Sequence, residues 1–157
     1  MKSRTKYTKE IRHASHCDMP KRCYVTGEKK DVQLHHLIKV QDLSEIAYYN
    51  QIDDVRDLYI PTVYLTDRIH HVWHQLTEGL GDLDDVDISL DEAEKMLDLF
   101  GFIDFKKVPE EYLEEYQEYY NKMFSHYIFE LENRFELEIE DETLQSLEIP
   151  SLEDVSS

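Results

Sequence analysis

Five of the eight histidines in this chain fall in two short blocks. The first is Leu34-His35-His36-Leu37-Ile38, reached through Cys23-Tyr24-Val25-Thr26-Gly27. The second follows about thirty residues later and reads Leu65-Thr66-Asp67-Arg68-Ile69-His70-His71-Val72-Trp73-His74. Imidazole ligates divalent metals and titrates near neutral pH, so it can serve as a ligand or as a general base. On a helix, His70 and His74 share one face a turn apart, whereas His71 points elsewhere and reads as a surface residue. One ribbon and one helix that bring such groups together make a metal site suited to hydrolysis. Trp73 reads as an anchor in the core or at a partner, and His13, His16 and His126 carry no pattern.

Those side chains must be held by regular elements. Runs 23–26 and 32–38 are β-rich and flank Gly27-Glu28-Lys29-Lys30-Asp31, which predicts a hairpin. In a regular strand His35 and His36 point to opposite faces, so both serve one site only where the strand ends or twists. Residues 42–50 predict a short helix, and 60–65 an extended segment, since Pro61 biases its predecessor away from helix. Thr66 or Asp67 caps the helix carrying His70 and His74. Gly79 and Gly81 end it, ahead of an acidic loop containing Asp82, Asp84, Asp85 and Asp87. Ser89 with Glu92 reads as a capping box, and Leu90, Ala93, Met96, Leu97 and Phe100 continue at helical spacing to Gly101. After Pro109, the residues Leu113, Tyr116, Tyr120, Phe124, Tyr127, Leu131 and Phe135 trace a stripe three or four apart. A helix so aromatic does not stand alone; its stripe packs on the histidine-bearing unit, on a partner, or on both.

The fold class expected is α+β and mostly helical, in one domain or a small domain with a helical appendage. It divides into a basic flexible arm over 1–20 with room for a short helix, a histidine-bearing unit over 21–80, a helical extension over 81–137, and an acidic, disordered tail over 138–157. With 157 residues, 41% of them hydrophobic, the chain can build a modest core; four Gly and four Pro favour helix. No run of eighteen apolar residues exists, so no membrane span is expected, and the N-terminus lacks the apolar stretch of a secretory signal. Cys17 and Cys23 are expected as free thiols in a cytoplasmic protein, with Cys23 a small buried residue. The net charge of −18 is uneven: residues 1–30 carry +6 and residues 31–157 carry −24. Such polarity permits phosphate contact by the basic end and predicts weak non-specific affinity for nucleic acid.

The two blocks resemble the HNH endonuclease family, whose fold is the ββα-metal motif. Its members run from a Cys-x-x-Cys-Gly knuckle through Asp-His or His-His to Leu-Cys-x-x-Cys-His-x-x-x-His. This chain has Cys23-x-x-Thr26-Gly27, His35-His36, and Leu65 to His74, with Thr66 and Ile69 where the family often has cysteine. The likeness covers roughly residues 20 to 76. It implies a ββα-metal unit with His36 as general base and His35, His70 and His74 as ligands of one divalent ion, Mg²⁺, Mn²⁺, Ni²⁺ or Zn²⁺. No structural zinc is expected, because Cys23 alone cannot supply four N or S ligands. The family's middle asparagine, which orients the base, has only Asn50 as a counterpart between the blocks. Arg68 would contact a phosphate, with Lys21, Arg22, Lys29 and Lys30 on double-stranded DNA. The resemblance also suggests a phage or prophage origin in a bacterial cytoplasm.

Two other readings stay open. A decayed nuclease scaffold could act as an acidic protein-binding module or DNA mimic, meeting a protein partner or a second copy through the 109–137 helix. Alternatively, the histidines could bind zinc or nickel in a regulator without catalysis.

Overall fold

The computed structural model describes residues 2–79 and 86–135. It is a mixed α and β structure, mostly helical, with one two-stranded sheet. Strand β1 (Val32–His36) pairs antiparallel with β2 (Thr62–Thr66), in a register running from Val32 opposite Thr66 to His36 opposite Thr62.

The hairpin expected between 23–26 and 32–38 does not form. Cys23 to Gly27 instead closes a tight turn, in which Gly27 N donates to Cys23 O and Cys23 N donates to Glu28 O, both at 2.8 Å. Gly27 sits at φ +77°, in the left-handed region that turns the chain back. The turn still touches the sheet, Tyr24 N donating to Tyr64 O at 3.1 Å. The true partner of β1 therefore comes from beyond α2 (Val40–Tyr49).

Helix α3 (Asp67–Glu78) begins directly at the end of β2. Thr66 is its cap, accepting from Ile69 N through its hydroxyl, and Gly79 in the left-handed conformation closes it. This strand-to-helix junction has no loop.

The first twenty residues, expected as a basic flexible arm with room for a short helix, contain α1 (Arg4–Ala14). Tyr7 and Ile11 lie one turn apart and are buried, and the Tyr7 hydroxyl donates to Ile52 O at 2.6 Å. Two apolar positions are too few for a periodic pattern, yet they suffice to seat α1 on α2.

The second half supplies α4 (Leu90–Met96), α5 (Asp98–Gly101) and α6 (Leu113–Phe135). The Ser89–Glu92 capping box is present. Trp73 of α3 meets Phe100 at 4.9 Å and Tyr127 at 6.3 Å between ring centroids. Along the aromatic stripe Tyr116, Tyr120, Tyr127 and Leu131 are buried, and the Tyr116 hydroxyl donates to Tyr59 O at 2.6 Å. Tyr116 and Tyr127 thus bury their rings while their hydroxyls find carbonyls, Tyr127 reaching Ala93 O. At roughly 1.5–3 kcal/mol per fully buried large side chain, this stripe is a principal source of stability. One core cluster joins residues of α1, the sheet, α3 and the later helices. Gly81, Asp82, Asp84, Asp85 and the acidic tail 138–157 lie outside the described residues. No helix among the described residues is long and apolar enough to cross a membrane.

Candidate functional site

Strand alternation divides the paired histidines. His35 faces α3, where its ring stacks on His70 with centroids 3.5 Å apart and planes 16° from parallel. His36, the last residue of β1, faces α1, and its Nε2 lies 2.6 Å from Ser15 Oγ. One turn along α3, His74 meets His70 edge-on, with their Nε2 atoms 2.7 Å apart. Three imidazoles, His35, His70 and His74, therefore converge where the end of β1 crosses the start of α3.

Proton positions in this cluster follow from its neighbours. The Nδ1 of His74 lies 2.8 Å from Glu78 Oε2. A carboxylate only accepts, so His74 carries its proton on Nδ1 and leaves Nε2 as a lone pair. In the neutral cluster that lone pair accepts from His70 Nε2–H. Glu78 is anchored in turn by the ammonium of Lys39. The chain Lys39–Glu78–His74–His70 thus runs from the loop after β1 back into the site.

Burial holds the cluster neutral. It is the largest cause pushing His70 down to about 4, with His35 beside it adding to the effect. Burial followed by the proximity of His70 brings His74 to about 4 as well. His35 is lowered chiefly by burial. His36 is lowered by burial and then by the Arg12 charge. Although it faces the other way, His36 stands close enough to disfavour charge on His35 and His70.

The donor set fits a divalent ion of borderline softness: three imidazoles that stay uncharged at neutral pH. The Nε2 of His35 is buried and makes no hydrogen bond, an orphaned polar atom on the cluster's side of the sheet. Glu78 behind His74 is the carboxylate support that metal-ligating histidines usually have. As it stands the cluster is in its hydrogen-bonded form. The 2.7 Å between His70 and His74 is shorter than the roughly 3.3 Å between two nitrogens on one tetrahedral ion. Among the described residues no group of three or more His, Cys, Asp or Glu stands in metal-holding geometry.

No family model, curated protein or solved structure matches this chain.

The other expected site residues fare differently. Asn50 is the C-cap of α2 and sends its amide to Ile46 O at 2.8 Å and to the Glu115 carboxylate at 3.0 Å, not to His36. Arg68 is not an open phosphate contact. Its guanidinium forks onto Glu92 at 2.6 and 3.1 Å and donates to Asp87 O at 2.9 Å, clamping the start of α3 to the start of α4. Lys21, Arg22, Lys29 and Lys30 are exposed around the Cys23–Gly27 turn. His71 is exposed and Trp73 buried. Cys17 and Cys23 are free thiols, and Cys23 Sγ lies 4.0 Å from Thr66 Oγ1. Ser15, Lys39 and Glu78 join the site without belonging to either histidine block. Glu78 carried a signal, standing four residues after His74 on the same helical face; Ser15 and Lys39 carried none.

Proposed function

We propose that this protein is a metal-dependent DNA endonuclease of HNH type, whose ββα-metal unit spans residues 21–80. The observation that carries the reading is the convergence of His35, His70 and His74 from the end of a strand and the start of a helix, with His35 Nε2 buried and unpaired. The antiparallel pairing of β1 with β2, and α3 following β2 directly, support it. So does the contact between Cys23 and Thr66, which joins two of the positions where the resembled family places its knuckle cysteines.

In this reading His35, His70 and His74 hold one divalent ion, and Glu78 with Lys39 keeps His74 in the ligating tautomer. Such an ion supplies Lewis-acid stabilisation of charge growing on the phosphate oxygens and on the leaving 3′-oxygen. His36, neutral at cellular pH, takes a proton from the attacking water at the end of β1, its ring lying on the α1 side of the strand and the three imidazoles on the α3 side. Lys21, Arg22, Lys29 and Lys30 give the duplex a local positive edge on a chain of net charge −18. The setting that goes with this activity is a bacterial cytoplasm and a phage or prophage gene. Nicking of supercoiled plasmid with Mg²⁺, Mn²⁺, Ni²⁺ or Zn²⁺ tests it: wild type nicks, and His36→Ala loses at least ~100-fold. Equal cutting by the variant removes His36 as the base.

One observation favours a second reading, a scaffold without activity that binds protein through its acidic surface. Arg68 and Asn50, the groups expected on phosphate and base, are both tied to carboxylates instead. Absence of nicking with every ion, and no DNA shift at low salt, would select it.

A further inference from the structure

Ser15, at the C-terminal cap of α1, makes two short contacts. Its Oγ lies 2.6 Å from Ile11 O and 2.6 Å from Nε2 of His36. A serine hydroxyl has one proton and two acceptor lone pairs. A backbone carbonyl can only accept, so the contact with Ile11 O requires the Ser15 proton, the familiar bond of serine back to the carbonyl four residues earlier. No proton remains on Ser15 for His36. The second contact must therefore be a donation from His36 Nε2–H to Ser15 Oγ. In neutral imidazole the lone pair then resides on Nδ1. That atom makes no hydrogen bond among the described residues, so it is the ring nitrogen whose lone pair is left open.

We infer that Ser15 is the positioning residue of this site, holding His36 as its Nε2–H tautomer so that Nδ1 is the nitrogen that removes the proton from water. The inference rests on the reading of His36 as general base. It also gives α1 a role beyond packing. The helix is seated by Tyr7 and Ile11, and the carbonyl that captures the Ser15 proton belongs to that same Ile11. The α1 core contact and the imidazole orientation are thereby coupled. Ser15 takes the place of Asn50, whose amide is committed elsewhere, as the group that orients the base.

The experiment is nitrogen-15 NMR of the histidine rings in the full-length, metal-free protein at about pH 7.5, where neutral imidazole prevails, on wild type, Ser15→Ala and Ser15→Thr. The His36 signals are assigned by their loss in His36→Gln. Wild type should show a protonated, pyrrole-like Nε2 and a pyridine-like Nδ1. Ser15→Ala should relax to a mixture of tautomers with an unchanged helical circular dichroism spectrum, and Ser15→Thr should restore the wild-type pattern. Plasmid nicking should follow, kcat falling ~10–100-fold in Ser15→Ala with KM unchanged and recovering in Ser15→Thr. A wild-type His36 protonated on Nδ1 overturns the inference, as does a tautomer or a kcat indifferent to Ser15→Ala. If wild type does not nick at all while the NMR pattern behaves as stated, the endonuclease reading fails and the tautomer assignment stands.

Discussion

His70 lies face to face with His35, ring centroids 3.5 Å apart, although one side chain comes from a helix and the other from a strand. Two imidazolium rings could not stack so closely without strong repulsion, so the contact is not compatible with both being charged. Burial favours the neutral state of each, and His74 extends it. The cluster thus assembles three imidazoles in an uncharged state.

Metal affinity should therefore depend on pH in an unusual window. Ordinary histidines compete with protons for a metal from about pH 6.5 downward. With His70 and His74 held to about 4, and His35 also lowered, protons compete only in more acidic solution. Competition titrations with Zn²⁺ or Ni²⁺ should give a nearly constant affinity from about pH 7.5 to about 5.5 and a decline below about 5. A decline already under way at about pH 6.5 would show that the histidines protonate normally.

Stability without metal should fall as the solution is acidified across the same range. The unfolded chain binds protons at His70 and His74 near pH 6.5, whereas the folded chain binds them only near 4. Protons therefore favour the unfolded state between those values. The contribution is fully present above about 6.5, is lost as pH falls toward 4, and levels off below. Solvent screens these partly exposed rings and the two sites are coupled, so the loss stays on the order of a few kcal/mol, below the simple sum of about 1.4 kcal/mol per pKa unit and site. Thermal melts at about pH 7.5, 6 and 5 should show it, and His70→Asn with His74→Asn should flatten the slope.

Glu78 should matter to metal binding far more than to folding. Its Oε2 fixes the His74 proton and its other oxygen meets Lys39. Calorimetric titration of Glu78→Ala should find Zn²⁺ or Ni²⁺ affinity reduced ~10–100-fold, the usual effect of losing an outer carboxylate. An unchanged affinity would mean that His74 is not a ligand.

The helices after Gly79 should be indispensable to the histidine-bearing part. Truncation after Gly81 keeps every proposed site residue but strips Phe100, Tyr120 and Tyr127 from the core around Trp73. That fragment should show no cooperative melt, and Trp73→Ala in the full chain should cost about 3–5 kcal/mol. A soluble 1–81 fragment with a sharp transition would assign the aromatic helix to a partner instead.

Arg68→Ala should weaken the fold by about 1 kcal/mol and leave DNA affinity alone, because its guanidinium is committed to partly exposed Glu92. Lys29→Ala with Lys30→Ala should do the reverse, reducing the salt slope of DNA binding by about 1 per lysine. Gel shifts across a salt series separate the two.

Local physics wrote much of this protein into its sequence. The Ser89–Glu92 capping box, the left-handed Gly79 stop, the Thr66 cap and the stripe from Leu113 to Phe135 each depend on residues within a few positions of one another. The His70–His74 pairing was legible for the same reason, since helical spacing alone puts the two on one face. Strand alternation likewise separated His35 from His36. Sequence could not choose the partner of β1, because pairing β2 across α2 is a long-range contact that beats the nearby run at 23–26 once Gly27 folds that run into a turn. Nor could it place Ser15 against His36, or join Arg68 to Glu92 and Asn50 to Glu115. Each of those contacts joins segments twenty or more residues apart, and only the packing of α1, α4 and α6 around the sheet and α3 decides which polar groups meet.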